Sequence, residues 1–163
     1  MKDLKEMLGE FNQIGIVVRD LEPIKKTMKE MYGAEPRDEG PQAHKGDQFF
    51  RGEPSDFTVH IIYYNVFDVE IEYFQPIEGD SPWQETLDEY GEGMIQHVRF
   101  DVMDYDEVAD YFKDNYGIEP YYWGGGEIYG GIKFGYFDTR EILGYITEVI
   151  NFKGIYGKKA ANA

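Results

Sequence analysis

Apolar and polar residues alternate twice along this chain in the same way, and each time the alternation gives way to a helical spacing. Residues 13–36 read QIGIVVRDLEPIKKTMKEMYGAEP, where Ile14, Ile16 and Val18 alternate with Gln13, Gly15 and Val17. A period of two predicts a strand with one packed face. Asp20 then reads as a helix cap ahead of the apolar stripe Leu21, Ile24, Met28, Met31 and Tyr32, and Gly33 supplies a left-handed stop. Residues 97–120 repeat the scheme. Val98, Phe100 and Val102 form the packed face; Asp104 and Glu107 form a capping-box pattern; Tyr105, Val108, Phe112 and Tyr116 form the stripe; Gly117 ends it.

The two segments align without a gap at a constant offset of 84, and seven of the 24 positions are identical, including the shared ending Tyr-Gly-x-Glu-Pro. Ordinary residue usage would give roughly one or two, so the chain carries an internal duplication. Further strands are predicted at 57–64 and 68–75, around a turn at Asn65, and at 118–123, 132–137 and 144–151. The second half then reads β-α-β-β-β, and the duplication extends the same plan to the first, where two of the three later strands are legible; the modules lie at 11–76 and 95–151. Between them Ser81-Pro82-Trp83 opens a short helix that ends near Gly91. Segments 39–46 and 124–131 read as polar or Gly-rich loops, and 152–163 as a frayed tail. The expected fold is α+β, one domain over 1–163, with paired βαβββ modules in a cupped mixed sheet.

Composition narrows the function. Sixteen Lys and Arg against 32 Asp and Glu give a net charge of −16, which disfavours nucleic acid and anionic membranes as partners. Hydrophobic residues at 42% are too many for a disordered acidic chain. No apolar run approaches a bilayer span and the start, Met1-Lys2-Asp3-Leu4-Lys5-Glu6, lacks a signal-peptide core, so a cytoplasmic location is expected. The absence of cysteine removes disulfides, thiolate catalysis and cysteine–zinc sites.

The candidate chemistry lies on the strand faces turned away from the helices. These carry Gln13, Gly15 and Val17 in the first copy and His97, Arg99 and Asp101 in the second. Polar groups on that side are costly unless paired or ligating. Glu72 and Glu148 sit among apolar residues of the last strand of each half. Gln13 and His97 are equivalent by the offset of 84; Glu72 and Glu148 are equivalent by strand order, although 76 apart. About a pseudo-two-fold axis these four converge as a divalent-metal site of nitrogen and oxygen donors. Zinc, cobalt, nickel, manganese and iron(II) all suit it.

At these residues the chain resembles the vicinal-oxygen-chelate superfamily, which includes glyoxalase I, methylmalonyl-CoA epimerase, extradiol dioxygenases and bleomycin-resistance proteins. The stretches that carry the likeness are FNQIGIVVRDL, VEIEYFQPIEGDSPWQETLDEYGEGMIQHVRFDV and GGIKFGYFDTREILGYITEVI. The middle one is most similar to methylmalonyl-CoA epimerases. The resemblance implies metal ligands at Gln13, Glu72, His97 and Glu148, a set closer to zinc-type glyoxalases than to the epimerases, which usually have His at the first position. It also implies that the second catalytic carboxylate of an epimerase falls in FTVHII, where this chain has His60.

The expected reaction is proton abstraction next to a carbonyl through a metal-stabilised enolate, in an epimerase-like isomerase or a lyase. Glu148 is the leading base, leaving the metal to take the proton, and His60 its acid/base partner. Arg99 is either a clamp for an anionic group of a small carbonyl or acyl substrate or one half of a buried ion pair. Tyr64, Phe74 and the run Tyr121 to Trp123 are candidates for the pocket wall. A glyoxalase I-type lactoylglutathione lyase and a non-catalytic binding protein are the alternatives. An extradiol dioxygenase needs two histidines and a carboxylate, so it fits poorly. A homodimer is the quaternary state relatives suggest.

Overall fold

In chain order the computed structural model runs α1 (Leu4–Met7), β1 (Leu8–Val17), α2 (Glu22–Tyr32), β2 (Arg37–Phe50), β3 (Glu53–Tyr64), β4 (Glu70–Gly79), α3 (Pro82–Tyr90), β5 (Ile95–Val102), α4 (Tyr105–Tyr116), β6 (Pro120–Gly126), β7 (Ile132–Phe137), α5 (Arg140–Leu143) and β8 (Ile146–Ile150). It describes residues 3–151, so the tail expected at 152–163 lies outside the described residues. No helix among the described residues is long and apolar enough to cross a membrane.

The two long helices form where the sequence predicts, α4 capped by Asp104 as expected and α2 starting one residue later, after Leu21, which offers no side-chain cap. Asp20 accepts the Glu22 N–H at 3.0 Å, and Asp104 accepts the N–H groups of Asp106 and Glu107 at 3.0 and 3.1 Å. Gly33 and Gly117 end the helices at φ of 62° and 65°, a conformation that costs a Cβ-bearing residue energy. The stripes are shorter than expected. Met31, Tyr32 and Tyr116 are each more than half exposed.

The strands close in the order β1-β4-β3-β2-β6-β7-β8-β5. β1 runs parallel to β4 and β5 parallel to β8, while β1 and β5 pair antiparallel at the seam between the modules. Gly15 faces Glu72 across the first parallel pair and Arg99 faces Glu148 across the second. Gly15 and Arg99 are the repeat-equivalent pair, so register makes Glu72 and Glu148 equivalent despite their shorter separation. Much of the difference is strand length: β2 and β3 have 14 and 12 residues, β6 and β7 only 7 and 6.

Closure places apolar side chains in two layers, inside the sheet and under the helices. Val17, Phe57, Val59, Phe74, Trp83, Tyr122, Tyr136 and Ile146 fill the interior. Leu21 and Met28 pack with Val18, Ile62 and Tyr64 under α2, and Val108 and Phe112 with Val102, Phe137 and Val149 under α4.

Two segments differ from their sequence reading. Residues 39–46 are not a loop but the middle of β2, whose inward side chains include Gln42 and His44 and therefore carry no apolar period. Residues 124–126 complete β6, and only 127–129 form a short turn of 3₁₀ helix. The cupped mixed sheet of paired modules forms as expected, and it closes through Gln48, Phe49 and Phe50 of β2 on Gly124, Trp123 and Tyr122 of β6.

Candidate functional site

β5 supplies the residue at the centre of the interior. His97 is fully buried and lies directly across from Gly15 on β1. A Cβ at position 15 would fall 1.9 Å from the ring's Cε1, so only glycine leaves room for it. Phe74 meets the ring edge-on with centroids 5.4 Å apart, and Tyr136 lies 4.7 Å away.

A hydrogen-bond chain from α3 fixes the direction of the ring. The Gln96 side-chain nitrogen donates to the Pro82 carbonyl at 3.0 Å and to Thr86 Oγ1 at 2.8 Å, leaving its oxygen 2.9 Å from His97 Nδ1. An amide oxygen only accepts, so the proton is on Nδ1 and Nε2 is turned toward the carboxylates. Glu148 Oε2 lies 3.3 Å from Nε2 and Glu72 Oε2 lies 3.6 Å from it.

Those contacts are too long for well-formed hydrogen bonds. His97 Nε2 and Glu148 Oε2 are both buried without a hydrogen-bond partner, a state that costs free energy in a dry interior. Burial, opposed by His97, raises the pKa of Glu72. Burial works against a charge on His97, but Glu148 and Glu72 outweigh it and push the ring up to about 9. Ligand atoms of Glu72, His97 and Glu148 all lie within 4.8 Å of one another. Two carboxylates and an imidazole with orphaned atoms aimed at one point are a donor set that could hold a divalent cation.

Gln13 lines the same cavity as Glu72 and Glu148, a space of about 190 Å³ walled by Phe74, Trp83, Tyr122 and Tyr136. Arg99 reaches it too, with Nε spent on Asn12 Oδ1 at 3.1 Å and on Asp101 Oδ1 at 3.2 Å. The ion pair of Arg99 is therefore with Asp101, while the guanidinium still borders the cavity.

Three residues expected at the cavity lie outside it. His60 is on the outer face of β3, bound to Asp38 at 2.6 Å, and Asp38 in turn meets Lys25 at 2.9 Å. Tyr64 has the same parity and packs under α2. Trp123 is on the outer face of β6, stacked on Phe49 with centroids 4.2 Å apart, while its neighbour Tyr122 points inward. One strand position decides which face a side chain takes, and in β3 and β6 the inward places go to the neighbours Val59, Ile61 and Tyr122.

Sequence reasoning missed the opposite wall. His44 of β2 lines the cavity with its ring against Phe57 at 4.9 Å, and its Nδ1 lies 3.1 Å from Asp47 Oδ2 and 3.1 Å from Gln48 Nε2. Tyr129 donates to Asp47, and Tyr122 donates to Gln48. Burial alone would raise the Asp47 pKa, but the bonds from Tyr129 and His44 hold it below its usual range. β2 and β6 stand across the closed sheet from β1 and β5, so His44 faces the triad. No apolar period marks β2 as a strand, because its inward positions Gln42 and His44 are polar.

Residues 12–136 match the family described as Glyoxalase/Bleomycin resistance protein/Dioxygenase superfamily. The chain belongs to that superfamily. Among solved structures, methylmalonyl-CoA epimerase from Mycobacterium tuberculosis is similar to it with a TM-score of 0.61 and 16% identity, over 89% of each chain. A Streptomyces coelicolor methylmalonyl-CoA epimerase variant in complex with 2-nitronate-propionyl-CoA gives 0.60 and 20%, over 88% of this chain and 97% of that one. A hypothetical protein from Bacillus halodurans gives 0.61 and 19%, over 87% and 93%. No curated protein matches by sequence. Identities this low carry the superfamily fold, not a reaction.

Proposed function

We propose that the protein is a metal-dependent isomerase that moves a proton on a carbon next to a carbonyl. The observation that carries this reading is the buried Glu72–His97–Glu148 group, in which His97 Nε2 and Glu148 Oε2 lack hydrogen-bond partners and the two carboxylates line a cavity. These three residues, with Gln13 as a fourth donor, would hold the cation. A bound divalent cation supplies positive charge to a carbonyl oxygen, which favours the enolate form of the substrate.

The chain's own residues do the remaining work. Glu148 borders the cavity and is the base for the α-proton. His44, with a carboxylate behind Nδ1, has Nε2 left to give or take a proton from the opposite wall. It replaces His60 in that role. Arg99 steers a substrate oxygen through the guanidinium edge not spent on Asn12 and Asp101. Phe74, Trp83 and Tyr136 keep water from the reacting carbon.

A compact substrate fits better than a CoA thioester. The chain carries −16, and of the three cations that could have met phosphates, Lys45, Lys133 and Arg140, the last two are bound to Asp106 and Asp138 at 2.7 Å each. The donor set Gln13, Glu72, His97 and Glu148 favours glyoxalase-type isomerisation as a second reading.

The test is deuterium exchange at α-carbons, read by NMR in D₂O, over a panel of small carbonyl acids, hydroxyketones, thiohemiacetals and acyl thioesters with zinc- or cobalt-loaded protein. One class should exchange, and Glu148→Gln should slow it by about 10²–10⁴-fold. Stoichiometric metal with no exchange in any class would make the protein a binder. Full metal occupancy in His97→Ala would remove the centre itself.

A further inference from the structure

We infer that Glu70 is a positioning residue for the proposed cation centre: it holds the Gln13 side chain so that its oxygen, rather than its nitrogen, is presented to Glu72, His97 and Glu148. The inference rests on the reading that this triad holds a divalent cation.

A side-chain amide has two ends of nearly equal size. Only the oxygen has a lone pair for a cation, and the NH₂ end offers donors alone. Packing cannot choose between them, so a hydrogen-bond partner must. Gln13 is 1% exposed and stands directly opposite Glu70 in the parallel register of β1 and β4, two residues before the Gly15–Glu72 pair. Its Nε2 donates to Glu70 Oε1 at 2.6 Å. A carboxylate beside an amide takes the nitrogen end, which commits that end away from the triad.

Glu70 is itself held. Its second oxygen lies 3.7 Å from an Arg37 nitrogen, and the Arg37 guanidinium covers the Tyr63 ring at 4.0 Å. The second module orients its equivalent donor by another route. The register partner of His97 is Ile146, which cannot orient anything, and the ring is turned instead by its neighbour Gln96. Each module thus carries one orienting partner for its own first-strand donor. The duplicated backbone is common to both and the partners are not, so Glu70 is a device of the first module alone.

Cobalt(II) is the probe: titration of the metal-free protein followed by visible absorption, with affinity from competition against a chromophoric chelator. Gln13→Ala and Glu70→Met should each weaken cobalt binding by about 10–100-fold and give the same altered absorption bands, since both withdraw the same oxygen donor. The double variant should bind no more weakly than Gln13→Ala alone. Glu70→Gln keeps an accepting oxygen and should restore both affinity and spectrum. Glu70→Ala repeats the comparison should the methionine variant not fold. Wild-type spectrum and affinity in Glu70→Met and Glu70→Ala, or weakening that adds to that of Gln13→Ala, would overturn the assignment. Failure of the wild-type protein to bind cobalt would instead overturn the cation reading.

Discussion

At position 15 the missing Cβ leaves the space that the His97 ring fills. In Gly15→Ala the methyl would meet Cε1 at 1.9 Å, so ring or strand must move. Overpacking of this kind costs about 1–3 kcal/mol, and zinc affinity should fall by at least about tenfold because the donor is displaced. Urea unfolding and a zinc titration read the two effects separately. His97 also sets a pH dependence. Facing Glu148 and Glu72 against the cost of burial, it titrates at about 9 instead of its ordinary 6.5. The cation-free native state therefore binds this proton more tightly than the unfolded chain does. The stabilisation is complete below pH 6.5 and is lost as the pH rises through about 9. Proton and cation compete for Nε2, so zinc loading at pH 7.5 should release a proton, and zinc affinity should climb with pH up to about 9. Calorimetry in buffers of different ionisation enthalpy counts that proton; His97→Gln should abolish both effects.

The elements differ in what they contribute. α4 is made by local rules: Asp104 takes two N–H groups of its first turn, and Asp104→Ala should cost about 0.5–2 kcal/mol, seen as a lower urea midpoint with the cobalt spectrum unchanged. α3 is as regular but serves the site, since its Pro82 carbonyl and Thr86 hydroxyl aim Gln96 at His97. β2 follows no such local rule. Its inward residues, Gln42, His44 and Gln48, are polar because they wall a cavity, while Pro41 and Ala43, on the other face, are exposed. That removes the alternation by which a strand is recognised.

At the scale of the whole molecule the charge of −16 repels itself more in the compact state than in the open chain. Raising NaCl from 10 to 300 mM shortens the screening length several-fold, so the melting temperature should rise with salt. A melting temperature that falls with salt would show that the local ion pairs outweigh the net field. Closure of the sheet through three residue pairs between β2 and β6 turns a two-module cup into a cavity with two chemically distinct walls, the triad on one and His44 on the other.

The sequence by itself determined the duplication, the two helices, the inward face of each first strand and the polar positions Gln13, Glu72, His97 and Glu148 on the inner side of the sheet. All of these are written in local period or in likeness between the halves, which the chain carries wherever it folds. Only the tertiary structure decided that His60, Tyr64 and Trp123 face outward, that His44 and Tyr122 face inward, and which partners orient the donors. A strand side chain changes face with a shift of one residue, and the wall it joins depends on strands distant in sequence. Neither is a property of any local window.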